Sequence, residues 1–437
     1  MDAGRLSSEK TVHVASQGIH DPGRRALRRA VVAASVGNLL EWYDFAVYGF
    51  LANIIAARFF APGDSVSALL SSFAVFGIGF LARPLGGGIV IGRLADKHGR
   101  KPALTITIIL MALGTLMIAG LPTYAYFGFW APALLVVARL IQGFSAGGEW
   151  GTATGFLVEW APHGRRGFYG SLQQCTALAG LLMGSGVSAL ASSLIPASQM
   201  DAWGWRVPFL LGALVGPIGF YVRRNVEETP AYTSQENFPS SSQAQWGAAA
   251  RLFALVAVPF AVVFTLMSYL PTFTQKYGGL SRSESLWANT ISLVILIVCI
   301  PLAGIWSDRI GRRPLMIASN LCFLFLSAPL LLATLKFPGF STVVLVQIAF
   351  ALLYATYAGA GAAAYNELFA ISSRVLWLSI SYNLSGIVFG AFAGYIATWL
   401  IKTWNSPIAV VYFVLFAAVV SGLGMIGMKE TAHSPLR

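Results

Sequence analysis

Residues 92–102 read Gly92-Arg-Leu-Ala-Asp96-Lys-His-Gly99-Arg100-Lys101-Pro102, and residues 304–314 read Gly304-Ile-Trp-Ser-Asp308-Arg-Ile-Gly311-Arg312-Arg313-Pro314. The copies lie 212 residues apart in a chain of 437, and each joins two apolar runs. In both, an acidic residue ends one run, a glycine turns the chain, and two basic residues and a proline open the next. Glycine accepts turn conformations that other residues resist, and proline fits the first turn of a helix. Asp96 and Asp308 suit pairing with basic groups or with the N-terminal dipole of a neighbouring helix. Such a cluster holds one conformational state closed and releases it when two halves rock. A basic topogenic loop accounts for one copy, but its recurrence at an equivalent place favours a gate. Gly92, Asp96, Gly99, Arg100 and Lys101 form the first gate set, and Asp308, Gly311, Arg312 and Arg313 the second.

The surrounding runs fix the class. The chain is 56% hydrophobic and 11% charged, with a mean hydropathy of +0.69. A soluble domain carries roughly 25% charged residues, so this chain cannot cover a water-facing surface. A helix needs about 20 apolar residues to cross a bilayer. Six candidate spans fall at about 31–56, 68–92, 103–121, 131–157, 168–194 and 206–223. Six more follow at about 249–275, 285–306, 314–335, 341–365, 375–401 and 407–428. The reading is an all-α membrane protein of twelve transmembrane helices in two pseudo-symmetric six-helix bundles, related by an axis along the membrane normal. Its expected parts are an N-terminal tail 1–30, a first bundle 31–224, a polar link 225–247, a second bundle 248–428 and a tail 429–437.

The net charge of +12 does not point to nucleic acid. The basic residues sit in short loops between apolar runs, and most lie on the side of the termini and both motif loops. That bias predicts cytoplasmic termini, here in a bacterial inner membrane. No short apolar core with a small-residue cleavage site precedes the first run, so no removable signal peptide is expected. Cys175, Cys299 and Cys322 lie in apolar runs without metal or redox spacing. No metal or cofactor is expected.

An ionisable group at mid-bilayer costs on the order of 3 kcal/mol, which marks each one as functional by default. Glu41, Asp44, Arg83, Arg139 and Glu149 all fall within spans. At 1.5 Å per residue, Glu41 and Asp44 stand roughly 18–22 Å above Arg29, and their spacing of three puts them on one helix face. Facing a polar cavity, they suit proton loading and release, with Asp44 first; a static pairing with Arg83 or Arg139 is the alternative. Either arginine offers a fork for a carboxylate, with Arg83 favoured for substrate and Arg139 for coupling to the acids. Glu149 joins the proton-coupling set. Glu159, Arg165 and Arg166 extend the gate around Asp96, and Glu367 and Arg374 extend the one around Asp308. Gln173, Gln174, Tyr269, Tyr357, Tyr382 and Asn383 are candidate substrate contacts, because amides and amphipathic rings serve a cavity.

The paired loops resemble the signature loops of the major facilitator superfamily, and the resemblance covers the whole chain. GNLLEWYDFAVYGF (37–50), FLARPLGG (80–87), RLIQGFSAGGEWG (139–151), EWAPHGRRGFYGS (159–171), WGWRVPFLLG (203–212) and EETPAY (227–232) resemble the superfamily's metabolite:proton symporter branch. That branch transports citrate, tricarballylate, 2-oxoglutarate, shikimate or proline and betaine. The resemblance implies alternating access about a midplane site, coupled to protons.

Other classes fit less well. The chain has no zinc-binding HExxH, no nucleotide-binding loop and no Ser/His pair within facing spans, so neither an enzyme nor an ATP pump is indicated. A channel or a sensor without coupled transport is the rival of a different class. The expected partners are a small-molecule substrate, protons and the lipid bilayer, and a monomer is expected to suffice. Cationic Arg83 and Arg139 beside Glu41 and Asp44 suit an anion or a zwitterion. A di- or tricarboxylate such as citrate comes first. A zwitterionic osmolyte, shikimate or 2-oxoglutarate is the alternative.

Overall fold

In a computed structural model, residues 24–61, 65–228, 242–434 and 436 are described. Most of the predicted N-terminal tail and residues 229–241 of the predicted link lie outside them. The first half holds α1 (Arg24–Phe50, continued as Ala52–Phe59), α2 (Ser65–Arg83, a π-helical Pro84–Gly92 and Arg93–His98), α3 (Arg100–Gly120), α4 (Trp130–Trp160), α5 (Arg166–Leu194) and α6 (Arg206–Arg224). The second begins with α7 (Ser242–Leu255, Ala257–Ala261, a π-helical Val262–Tyr269 and Leu270–Tyr277). It continues with α8 (Arg282–Ile310), α9 (Arg312–Lys336), α10 (Phe340–Asn366), α11 (Arg374–Gly386, a π-helical Ile387–Ala391 and Ala393–Trp404) and α12 (Val410–Met425).

Among the described residues, eleven helices are long and apolar enough to cross a membrane. The twelfth, α1, is as long but carries Glu41 and Asp44, with Arg24, Arg25, Arg28 and Arg29 at its start. It belongs with the others by packing, since it lies along α5 and α6. The halves meet where α5 lies along α8 and where α11 lies along the π-helical part of α2.

In lipid, an apolar face gains little by moving from acyl chains to protein, so close backbone approach and polar contacts hold helices together. The glycines of α4 serve this end. A Cβ at Gly143 would run into the backbone of Gly79, and one at Gly147 into that of Arg83. The proline breaks are repaired across helices, as the absence of water demands. Pro259 cannot donate to the Leu255 carbonyl, and the hydroxyls of Tyr357 and Ser421 donate to it instead, at 2.6 and 3.2 Å. Pro301 likewise frees the Ile297 carbonyl, which the Cys175 thiol approaches at 3.5 Å from the other half.

The cores differ. The second half has one large aromatic-aliphatic cluster that includes Phe260, Phe323, Phe350, Tyr354 and Phe413. The first half has smaller clusters, around Trp205 and Phe209 in one and around Leu104, Phe156 and Trp160 in another. The five ionisable groups within its spans are all buried.

Candidate functional site

At the end of the bundle that carries the motif loops, Gly99 and Gly311 turn the chain with φ of 100° and 115°, the left-handed region that favours glycine. The arginine after each turn reaches back. The Arg100 guanidinium donates to the Ala95 carbonyl, to Asp96 at 2.9 Å and to Glu159 at 3.0 Å. Arg374 of the second half donates to the same Glu159 oxygen at 2.9 Å. Asp96 accepts from the Val375 and Leu376 amides at 3.2 and 2.9 Å, capping the start of α11. The second motif loop repeats the plan. Arg312 donates to Asp308 at 2.8 Å, and Asp308 accepts from the Gly167 and Phe168 amides at 2.8 and 3.0 Å, capping α5. Arg312 and Arg166 approach Glu367 at 3.6 and 3.5 Å.

This corrects the expected grouping. Arg166 was expected beside Asp96 and Arg374 beside Asp308, but the structure exchanges them. Each arginine opens a helix whose N-terminus meets the opposite half's aspartate, so it lands in that half's cluster. Arg165 is exposed, one residue before α5 begins. Gly92 packs its backbone against Leu376. Lys101 and Arg313 contribute their backbone amides, to Glu228 and Glu430 respectively.

Glu228 and Glu430 belong to these two clusters, and the sequence reading missed them. Glu228 also accepts from the Arg100 amide at 3.0 Å, and Glu430 from the Arg312 amide at 2.9 Å. A signal existed: Val226-Glu-Glu228-Thr after α6 returns as Met428-Lys-Glu430-Thr after α12. The C-terminal segment adds Thr431, which donates to Glu367 at 2.5 Å, and the Ser434 carbonyl, which accepts from Arg166 at 2.9 Å.

Within the first half, Arg83 pairs with Glu41 at 3.0 Å, and its guanidinium lies 4.2 Å over the Phe80 ring and 4.7 Å over Phe45. Asp44 accepts from the Thr115 hydroxyl and from the Gln142 amide, the latter at 3.2 Å. Arg139 donates to Gln142 at 2.8 Å, lies within electrostatic range of Asp44, and stacks 4.3 Å over Tyr48. Glu149 pairs with Arg223 and accepts from the Thr107 hydroxyl. Glu41 is thus a paired carboxylate and Asp44 a hydrogen-bonded one. Arg223, Gln142, Thr115 and Thr107 went unread in the sequence because hydroxyls, amides and a span-end arginine are ordinary there.

Between the halves lies a cavity of about 30 Å³, room for one or two waters. Gln173, Gln174, Trp150, Tyr354, Tyr365 and Tyr382 line it, with Pro259 and small residues of α10. Gln173 is buried, and neither of its side-chain polar atoms has a hydrogen-bond partner among the described residues. Trp150 and Tyr382, one from each half, stack at 3.5 Å and 10°. Tyr382 also lies within electrostatic range of Arg83 and Glu41.

Of the other predicted substrate contacts, three are elsewhere. Tyr357 is fully buried, its hydroxyl committed to the carbonyl that Pro259 frees. Asn383 donates to the Gly147 and Ser379 carbonyls at 2.9 and 2.7 Å, tying α11 to α4. Tyr269 accepts a 3.5 Å contact from Thr398 and does not line the cavity. Periodicity places a tyrosine in a span but does not say which backbone carbonyl lacks a donor.

Residues 30–246 match the family model described as sugar (and other) transporter, and residues 277–436 match the Major Facilitator Superfamily model. The citrate-proton symporter of Klebsiella pneumoniae is 35% identical over 89% of each chain. The glycine betaine/proline/ectoine/pipecolic acid transporter OusA of Dickeya dadantii is 34% identical over 96% of this chain and 86% of its own. The proton:xylose symporter XylE bound to 6-bromo-6-deoxy-D-glucose superposes with a TM-score of 0.80 at 17% identity, covering 94% of this chain and 98% of its own, which speaks to the fold. Helices joined in two halves by repeated Asp-Gly-Arg loops, together with relatives that match along nearly the whole chain, place it in one family: it belongs to the major facilitator superfamily of multi-pass membrane transporters.

Proposed function

We propose that the protein is a bacterial inner-membrane symporter that moves protons inward with a small carboxylate-bearing metabolite, by alternating access, with both termini cytoplasmic. One observation carries this reading: the buried Arg83–Glu41 pair lies within electrostatic range of Tyr382, which lines an aromatic, amide-bearing cavity between the halves, above an end held by two ionic clusters. A substrate carboxylate on the Arg83 fork displaces Glu41, and Glu41 then holds a proton in place of its partner. Asp44, hydrogen-bonded by Thr115 and Gln142 and within electrostatic range of Arg139, is the first proton acceptor. Proton symport also offsets an anion's cost of about 2.3 kcal/mol per charge at 100 mV.

The lining of the cavity supports a different order of cargoes from the one read in the sequence. None of its described lining residues is basic, and Arg83 is already compensated. A single carboxylate suits that site better than three. The rings of Trp150, Tyr354 and Tyr365 suit a cationic ammonium. A zwitterion such as proline or glycine betaine therefore comes first, and it agrees with the name of one relative. Citrate is second, supported by the name of another and by a second arginine, Arg139, against the same Phe45 ring as Arg83.

The test follows the external pH of lightly buffered, de-energised cells expressing the protein. Glycine betaine, proline, citrate, 2-oxoglutarate and shikimate are added in turn. Alkalinisation with glycine betaine or proline is the expected result. Alkalinisation with citrate alone reverses the order, and none with any of the five refutes proton symport of this class.

A further inference from the structure

We propose that Glu149, held by Arg223, is the last rung of a carboxylate ladder in the first half, receiving from Glu41 the proton that Asp44 takes up and passing it to water at the motif end. The inference rests on the proton-symport reading and adds to it a route that leads from the Arg83–Glu41 pair toward the motif end.

The ladder is built on one face of α1. Asp44 and Glu41 are three residues apart, and Gly37 is four residues below Glu41 on the same face, about 6 Å along the axis. A Cβ at Gly37 would occupy the place of the Glu149 carboxylate and the Arg223 guanidinium. The glycine therefore puts no side chain of its own between Glu41 and Glu149. Both Glu149 and Asp44 lie close enough to Glu41 to act on its charge.

The neighbouring helices repeat the same register. Thr115 of α3 donates to Asp44, and Thr107, eight residues earlier, donates to Glu149. From α4, Gln142 donates to Asp44, and Glu149 follows seven residues later, two turns along the same face. Each of the upper rungs keeps one buried carboxylate oxygen, Oδ1 of Asp44 and Oε2 of Glu41, with no hydrogen-bond partner among the described residues. These are the atoms on which a proton can land.

Arg223 gives the ladder its direction. It stands at the motif end of α6 yet is buried, and it donates to the Ala33 carbonyl at 3.0 Å and to the Leu104 carbonyl. When Glu149 is protonated its ion pair with Arg223 breaks, and these two carbonyls keep the guanidinium satisfied. The proton balance closes: Asp44 passes its proton to the Glu41 carboxylate, Glu41 to the Glu149 carboxylate, and Glu149 to water, each donor returning to its ionised form.

The plain alternative is a buried lock tying α6 to α1, α3 and α4. Purified protein in proteoliposomes separates the two. The variants are Glu149→Gln and the double variant Glu149→Gln with Arg223→Gln, which removes both charges and leaves no unpaired ion. The probes are labelled glycine betaine, proline, citrate and 2-oxoglutarate. Counterflow, which moves no net protons, is compared with accumulation under an imposed pH gradient. The ladder predicts that the folded double variant catalyses counterflow but brings its probe only to the outside level. Wild-type accumulation by the double variant overturns the ladder. So does loss of counterflow in folded protein, or failure of both variants to fold, each of which assigns the pair to structure alone. A wild-type protein that accumulates none of the four probes overturns the symport reading instead.

Discussion

At the motif end the two halves are near copies, with an Asp, an Arg and a Glu from one half meeting an Arg and a helix N-terminus from the other. Away from that end they diverge. The first half threads Glu41, Asp44, Arg83, Arg139 and Glu149 between small apolar clusters. The second packs a continuous aromatic core, and its polar contacts include hydroxyls and amides on backbone carbonyls. The ionic cluster is built twice, while the buried charges within the spans are concentrated in one half and much of the cavity wall comes from the other. The gates also differ in tightness. Glu159 meets its two arginines at 3.0 and 2.9 Å, whereas Glu367 meets its own at 3.6 and 3.5 Å.

The largest test of this comparison removes each gate glutamate. Glu159→Ala takes away the carboxylate that Arg100 and Arg374 share, and breaking a buried pair costs about 3–5 kcal/mol. Thiol labelling of a cysteine placed behind the gate should rise steeply, and thermal stability should fall. Glu367→Ala, with longer contacts and with Arg312 still held by Asp308 at 2.8 Å, should cost less, about 1–3 kcal/mol. Equal losses would dissolve the distinction between the gates.

Next in size is Arg83→Lys, which keeps the charge but loses the planar fork. The half-saturation concentration for uptake should rise about 10- to 30-fold, close to 2 kcal/mol. An unchanged value would remove Arg83 from the carboxylate site. Tyr357→Phe should lower stability by about 1 kcal/mol through one lost hydrogen bond, with half-saturation unchanged. A raised half-saturation value would return Tyr357 to the cavity and blur the division between core and site.

The smallest effect concerns Glu430. Partial burial works against its charge, but the amides of Arg312, Ala432, Arg313 and Thr431 outweigh that and hold its carboxyl below its ordinary value. A depressed folded value means a contribution present above the unfolded value, about 4.3, and lost as pH falls through the folded one. The melting-temperature gap between wild type and Glu430→Gln should therefore be small at neutral pH and vanish in acid. A gap that widens in acid would contradict the assignment.

Much of this was legible in the sequence, for reasons that also mark the limits. The repeated Asp-Gly-Arg loop specified the two-half fold because its turn needs glycine at a positive φ. Mid-span charges were conspicuous because lipid tolerates so few. Their partners were not legible. Nothing in the spacing of Arg83 or Arg139 says which meets Glu41, and Arg374 and Arg166 changed places because their helices start on the far side of the interface. Tyr357 was misread because a proline a hundred residues away sets its role. Glu228 and Glu430 repeat a motif too short to stand out without the turn amides they cap.

The most direct test of the central claim, that the first half carries the proton, is Asp44→Asn in proteoliposomes, scoring accumulation under a pH gradient against counterflow of the same labelled substrate. The account predicts that accumulation falls to the outside level while counterflow persists and no longer depends on pH. Concentrative uptake with its wild-type pH dependence would show that the proton travels elsewhere.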